Sequence, residues 1–495
     1  MRVKKTVGNW RKNLNRGDKE RIALMLIKIA KEVREYLLSE ESQAHPFYRS
    51  ESFLVSSFDE EREEILENLL DDPVYAAKFS EEYLEKLLKE QVRAMIRKLQ
   101  EEVASVRPKK IARDTAEAIF NELDNYTTQT TVYLPVAGIT LQIEEDKLEM
   151  GNITLQVMTP QRIDELRSHI TSAIMANLNT PNEKQGILQY FVRDLQRIFG
   201  EKERPVYALY HVVAEPIQAE RRAKEECYQV FDILRYALPF LTRLYPMEYS
   251  IPKKLLDSDT LEVSKYTRRD KKVSLETDKH MFFGLEGETG TMTDIISSTF
   301  ILRDSPGFNW NNSRKGPFIP LRIDAHVLQG LEMAEVFEAS QILKKEEASQ
   351  TNFERCILRS MHWFANAQTP MQPEYVFTSL MSSIEAFLNP PGDHEKVTIA
   401  IVEGVAALGG KQGFSYTKKR MDSLYAKRSA LSHGDRAEIM ERDISELRAI
   451  AFYLIHQMIQ RTDEFSTQEE LYEDVKKIRE EIKQNTTNIP PTNDL

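Results

Sequence analysis

Apolar residues recur at three- and four-residue intervals over the first quarter of the chain, with charged residues between them. In residues 80–106, Leu84, Leu88 and Val92 fall on one helical face and Glu and Lys residues on the others. This spacing is typical of amphipathic helices. Prolines at positions 73 and 108 interrupt the pattern, which favours a packed bundle over a long coiled coil.

The pattern changes near residue 127 to an alternation of β-branched and polar residues. Thr, Val and Ile are frequent over 127–159, and Gly151–Asn152 lies where a hairpin turn is expected. Further elements are predicted along the next part of the chain: helices over 160–178 and 183–199, a strand over 205–215, a long helix from Pro216, and strands and loops over 260–323. The central region therefore mixes helices with an antiparallel sheet.

Helical periodicity returns after residue 324 and is broken at Pro390–Gly392 and Gly409–Gly410. Within it, helices are predicted over 325–343, 352–367, 372–388, 394–408, 416–432 and 441–461. The predicted fold class is α+β with several domains: an N-terminal helical region (1–126), a central mixed α/antiparallel-β region (127–323), a C-terminal all-α bundle (324–465) and a polar C-terminal tail (466–495), which begins with a helix.

Composition narrows the classes of function. The 495 residues include 67 basic and 78 acidic side chains, so binding of nucleic acid requires a local basic patch. Cys227 and Cys356 form no CxxC spacing, and no histidine pair has metal-ligand spacing; no metal or cofactor is therefore predicted. The basic N-terminus lacks the apolar stretch of a secretion signal, so a cytoplasmic protein without membrane contact is expected.

One candidate site stands out at the end of a predicted helix, where Arg428 is followed after four residues by His433 and then Gly434. Similar Arg-to-His spacings occur at Arg162–His169, Arg204–His211 and Arg355–His362. Only His433 precedes a glycine, the residue that most often ends a helix. On an unbroken helix Arg428 and His433 would lie about 140° apart, so the helix is expected to end or distort near Gly434 and allow them to converge.

A basic cluster precedes this site. Residues 411–428 contain six basic side chains and one acidic side chain, which suits a phosphate backbone. The RNA-binding candidates in it are Lys418, Lys419, Arg420 and Lys427. Spacing and charge leave a second interpretation equally open, in which this is a solvated helix face and Arg428 belongs to a structural ion pair.

The stretch from about Leu358 to His456 resembles a HEPN domain, and is most similar to the ApeA-like HEPN group of bacterial proteins. The matching segments are LRSMHWFANAQTPMQPEYVF, FTSLMSSIEAFL and LYAKRSALSHG. The resemblance implies a helical bundle that acts as a metal-independent endoribonuclease in antiphage abortive infection. It also implies two-fold dimers that bring two copies of the Arg–His motif together.

The resemblance implies catalytic roles for Arg428, Ser429 and His433. An imidazole can take a proton from the ribose 2′-OH or give one to the leaving oxygen, and a guanidinium suits the phosphate oxygens. Glu385 either holds Arg428 in place or is a surface carboxylate. Tyr425 either stacks on a base or packs among the helices, and packing is favoured.

The implied partners are RNA, with transfer RNA suggested by the family alone, a second copy of the chain, and a phage-derived trigger sensed by the N-terminal regions. One histidine per chain cannot easily serve as both general base and general acid, so a homodimer that supplies two is expected. The alternative function is a catalytically silent HEPN module used for dimerisation or partner docking.

Overall fold

A computed structural model describes residues 16–39, 51–101, 107–127, 129–136, 139–162, 164, 165, 168, 206–244, 300–302, 321–368, 372–389 and 397–487. The basic N-terminal segment, the helix predicted over 183–199 and most of the strands predicted over 260–323 lie outside these residues. None of the helices within these residues has an apolar stretch that could span a membrane.

Contacts divide the chain into two compact units. The first contains residues 1–131, 211–222 and 301–307, and the second contains residues 132–210, 223–300 and 308–495. The second unit thus includes residues on both sides of the predicted boundary at 324, so the units do not follow that boundary.

The first unit is a bundle of amphipathic helices. Its helices are α1 (Arg16–Leu38), α2 (Glu51–Ser56), α3 (Asp59–Leu70), α4 (Pro73–Lys78), α5 (Glu81–Glu101) and α6 (Pro108–Asp124). Leu84, Leu88 and Val92 of α5 are buried as their spacing predicts. Asp72 begins α4 by accepting from the N–H groups of Val74 and Tyr75, a capping bond that satisfies donors the helix itself leaves open.

The strands are β1 (Gln129–Val136), β2 (Ile139–Leu141), β3 (Lys147–Met150), β4 (Ile153–Val157), β5 (Val206–Val213), β6 (Phe300–Leu302) and β7 (Leu321–Ile323). Five form a sheet in the order β3-β4-β5-β1-β6, in which β3–β4 and β4–β5 pair antiparallel. Gly151 opens the predicted two-residue hairpin with a φ of +60°, a conformation that favours glycine. The strands β2 and β7 form a separate parallel pair, which the expectation of an antiparallel sheet did not include.

Nine helices follow in chain order: α7 (Pro216–Leu244), α8 (Ala325–Met333), α9 (Val336–Leu343), α10 (Asn352–Asn366), α11 (Pro373–Leu388), α12 (Val397–Leu408), α13 (Phe414–Ser432), α14 (Glu441–Gln460) and α15 (Gln468–Thr487), counted over the described residues. The prediction of one helix over 325–343 is wrong. Ala334 and Glu335 separate α8 from α9, and Glu335 has a φ of +56°, which no continuous helix accommodates.

Helix α11 lies at the centre of the C-terminal bundle and packs against α10, α12, α13, α14 and α15. Ten of its sixteen residues are buried, as expected of a helix surrounded by neighbours. The helix predicted at the start of the polar segment 466–495 is α15, and it packs on α11 and α12. Leu471, Val475 and Ile482 of α15 are buried. The described residues confirm a mostly helical chain with a small antiparallel sheet and a C-terminal helical region.

Candidate functional site

The helix that carries the Arg–His motif ends in a Schellman motif. The N–H of Asp435 donates to the carbonyl of Ala430 at 2.9 Å, and the N–H of Gly434 donates to that of Leu431 at 3.2 Å. Gly434 has a φ of +79°, and a Cβ there would meet nothing within 4 Å. The glycine is therefore needed for its backbone conformation, which ends α13 as the sequence predicts.

The ending does not bring His433 round to Arg428. The N–H of His433 still donates to the carbonyl of Ser429 at 3.1 Å, so its Cα keeps nearly the helical register. Arg428 and His433 of one chain consequently remain about 140° apart around α13, contrary to the expectation that the end of the helix removes this separation. Ser429 lies four residues before His433 and shares its face.

Arg428 is held by Glu385, which lies near the end of the central helix α11. The Arg428 Nε lies 2.8 Å from Glu385 Oε1, and Nη2 donates to Oε2 at 3.1 Å. Nη1 donates to Ser432 Oγ at 2.6 Å. Two of the five guanidinium N–H groups are hydrogen-bonded in this way. The buried Nε–H makes no hydrogen bond despite its closeness to Glu385, and the second N–H of each terminal nitrogen is left for another acceptor.

Tyr425 is half-buried beside the same ion pair. Burial raises the pKa of its phenol, and the Glu385 carboxylate adds to this effect. Arg428 and a hydrogen bond with Thr398 of α12 act in the opposite direction. Tyr425 of α13 thus lies close to Thr398 of α12 and Glu385 of α11, and its packing among the helices or stacking on a base stays a prediction.

His433 is exposed. In the part of the chain that the structure describes, its imidazole has neither a hydrogen-bond nor an ion-pair partner. Both ring nitrogens are thus open to a ligand, in contrast to the anchored guanidinium of Arg428.

Lys418, a predicted RNA-binding residue, forms an ion pair with Glu403 of α12 at 2.7 Å. The same carboxylate accepts from Arg479 and Lys483 of α15. Burial by itself would raise the pKa of Glu403, but these three cations outweigh it and lower the pKa to about 2. The cluster joins α12, α13 and α15.

Two more of the predicted RNA-binding residues pair with Asp443, a carboxylate with 0% exposure. Arg420 Nη2 donates to Asp443 Oδ1 and Lys427 Nζ donates to Oδ2, both at 2.6 Å. Arg420 also pairs with Glu446. Lys419 is the exception among the four: it is exposed, and no partner for it occurs among the described residues.

The other histidines with a similar Arg spacing have different surroundings. His362 Nδ1 lies 2.8 Å from Asp232 Oδ2, and its Nε2 lies 3.1 Å from Asn366 Nδ2. His211 Nδ1 lies 3.0 Å from Thr131 Oγ1, and His169 lies outside the described residues. These contacts leave His433 as the exposed histidine of the four whose ring has no partner, over the described ranges.

The His362–Asp232 pair predicts a pH-dependent stability. The hydrogen bond with Asp232 raises the pKa of His362, although burial opposes it, so the folded chain binds this proton more tightly than the unfolded chain. The stabilisation is complete below the unfolded pKa of about 6.5 and is lost as pH rises through the higher folded value. Thermal unfolding between about pH 6 and 8 should show a falling Tm, and His362→Gln should flatten this fall. If the Tm of His362→Gln falls with pH as steeply as that of the wild type, the pH dependence comes from groups other than His362.

Asp443 was not singled out from the sequence, although its place in the first turn of α14 is a signal for an acidic residue that bonds back to the helix start.

In the described residues, no three His, Cys, Asp or Glu side chains are grouped as metal ligands. Comparisons with protein-family models, curated proteins and solved structures found no match to this chain.

Proposed function

We propose that the C-terminal helical region is a metal-independent endoribonuclease of the HEPN kind that serves in antiphage abortive infection under the control of the N-terminal regions. The observation that carries the proposal is the end of α13. An anchored guanidinium with an unused N–H on each terminal nitrogen lies within one and a half turns of an imidazole that has no partner among the described residues.

The chemistry follows from these two groups. The neutral imidazole of one His433 takes the proton of the ribose 2′-OH, and the 2′-oxygen attacks the adjacent phosphorus. The P–O5′ bond breaks, and a protonated imidazole gives its proton to the departing 5′-oxygen. Arg428 donates to the non-bridging oxygens, whose charge grows during the attack. The products are a 2′,3′-cyclic phosphate and a 5′-hydroxyl.

The separation of Arg428 and His433 around α13 favours a site shared by two chains. A two-fold axis near the end of α13 would set two copies of the motif face to face and supply two histidines, one as base and one as acid. Of the four basic side chains predicted to bind RNA, Lys419 is the one that we assign to the phosphate backbone.

A second function is favoured by the Arg428–Glu385 ion pair itself. A guanidinium that already satisfies a carboxylate and a hydroxyl has a structural role without any substrate, as in a silent HEPN module used for dimerisation or docking. The two functions differ in what the exposed His433 does, and an activity measurement separates them.

The experiment is incubation of the purified full chain with total bacterial RNA in excess EDTA, followed by analysis of the fragment ends. We expect fragments with 2′,3′-cyclic phosphate and 5′-hydroxyl ends, and no cleavage of DNA, which lacks the 2′-OH. Fragments with 3′-hydroxyl ends, or a reaction that EDTA abolishes, would contradict the mechanism. If purified RNA stays intact, lysate from phage-infected cells supplies the trigger, and intact RNA there favours the silent module.

A further inference from the structure

The segment between α13 and α14, residues 433–440, begins with His433 and contains no regular secondary structure after Gly434. The position of the imidazole therefore depends on whatever holds this segment and the end of α13. Two of its backbone anchors are the Schellman bonds of Gly434 and Asp435. At its far end the N–H groups of Asp443 and Ile444 donate to the carbonyl of Met440. The side chains of Lys427 and Asp443 hold this end as well.

Asp443 connects α13 to the segment through three hydrogen bonds. On the α13 side it accepts from Arg420 and Lys427, each at 2.6 Å. On the segment side its Oδ2 accepts from the N–H of Met440 at 3.1 Å. The same Lys427 Nζ also donates to the carbonyl of Glu438 at 2.8 Å. One carboxylate thus joins α13, the segment and the first turn of α14.

The carboxylate of Asp443 is fully buried. Burial by itself would raise the pKa of Asp443, but the hydrogen bonds from Lys427, the Met440 N–H and Arg420 outweigh it and lower the pKa. Three donors occupy its two oxygens inside the protein, where an unpaired charge is costly. Asp443 and the Glu438 carbonyl accept from two of the three N–H groups of Lys427, so a phosphate on the third would lie beside the negative charge of Asp443.

We infer that Asp443 is a positioning residue that fixes the His433 end of α13, and that Arg420 and Lys427 act with it instead of contacting RNA. The inference rests on the proposed function for its catalytic part. A carboxylate outside the Arg–His motif would then determine whether that motif is held ready for the reaction.

The test compares Asp443→Asn and Lys427→Met with Glu446→Gln as a matched control. In Asp443→Asn the side chain keeps one acceptor oxygen, and its amide N–H₂ faces Arg420 or Lys427 in place of the second carboxylate oxygen. Methionine leaves Asp443 paired with Arg420 and Met440 but releases Glu438. Glu446 shares Arg420 with Asp443, so its glutamine variant removes a neighbouring charge of the same helix and leaves the anchors of the segment intact.

Two measurements are made on each full-length variant. Hydrogen exchange of the amides in residues 433–440 should accelerate by about tenfold or more in the first two variants and stay unchanged in the control, with residues 373–388 of α11 as the internal reference. The kcat of RNA cleavage should fall by about tenfold to a hundredfold with KM nearly unchanged, because misplacement of a reacting group affects the chemical step.

Unchanged exchange in both variants would overturn the inference, and so would a loosened segment with an undiminished kcat, since Asp443 would then be structural only. A higher KM with an unchanged kcat in Lys427→Met would mean that Lys427 binds RNA, as predicted from the sequence. If the wild type cleaves no RNA with or without the lysate, the catalytic part fails together with the proposed function. The exchange measurement still decides whether Asp443 holds the segment.

Discussion

His433→Ala is expected to lower the rate of RNA cleavage by about 10²–10⁴-fold, the usual contribution of a general acid or base. The side chain is exposed and has no partner within the described structure, so its removal should change the free energy of unfolding by less than about 0.5 kcal/mol. Initial cleavage rates and thermal unfolding of the same preparation check both parts. A fully active variant would mean that His433 is not in the site.

Arg428 needs a different substitution, because Arg428→Ala would leave the Glu385 carboxylate, which is only 15% exposed, without its cation. The loss of this cation lowers the free energy of unfolding by about 1–3 kcal/mol, so a fall in activity could result from unfolding alone. Arg428→Lys keeps the charge and removes the planar fork. We expect the kcat of Arg428→Lys to fall by about 10²-fold. The control is Lys419→Ala, which removes one exposed cation of the same helix and should change mainly the KM.

Mixing wild type with an excess of the inactive His433→Ala chain should inhibit the wild type if two histidines from two chains form one site. At about ninefold excess, random exchange pairs a wild-type chain with another wild-type chain about one time in ten. Activity should therefore fall to about one tenth of that of the same wild-type amount alone. A wild-type chain that needs no partner's histidine would lose nothing.

The control for this experiment is the same mixture assayed before the chains have exchanged, in which wild-type dimers are still intact and activity should be undiminished. An inhibition that appears at once would point instead to competition for RNA by the inactive chain. Equal activity before and after exchange would contradict the shared site, and the two functions of Arg428 and His433 would have to be fulfilled within a single chain.

Much of the local structure of the C-terminal region follows from the sequence. The helices predicted over 352–367, 372–388, 416–432 and 441–461 agree with α10, α11, α13 and α14 within about two residues. Apolar periodicity sets where a helix buries its surface, and Pro373 and Gly434 mark where helices begin and end. The failure at Glu335 has a local cause as well, since nothing in its residue type signals a left-handed conformation.

The partners of the charged residues were decided by the tertiary structure. Along the chain, the basic cluster of 411–428 appears as a surface with one acidic residue, which is the basis for predicting RNA contacts. In the folded protein, carboxylates from α11, α12 and α14 meet Arg428, Lys418, Arg420 and Lys427. A count of charged residues treats each cation as solvated. Folding instead brings carboxylates that lie 15 to 43 residues away along the chain into contact with these cations.

The helices of the C-terminal region, the glycine that ends α13 and the place of the Arg–His motif could be read from the sequence, because periodicity and backbone preferences act over a few neighbouring residues. Three properties could not be read from it: which cations remain available to a ligand, the packing of 468–487 on the bundle, and the position of Arg428 and His433 on different sides of α13. Those properties depend on contacts between helices, and the energy of each charge depends on which other charges are buried beside it.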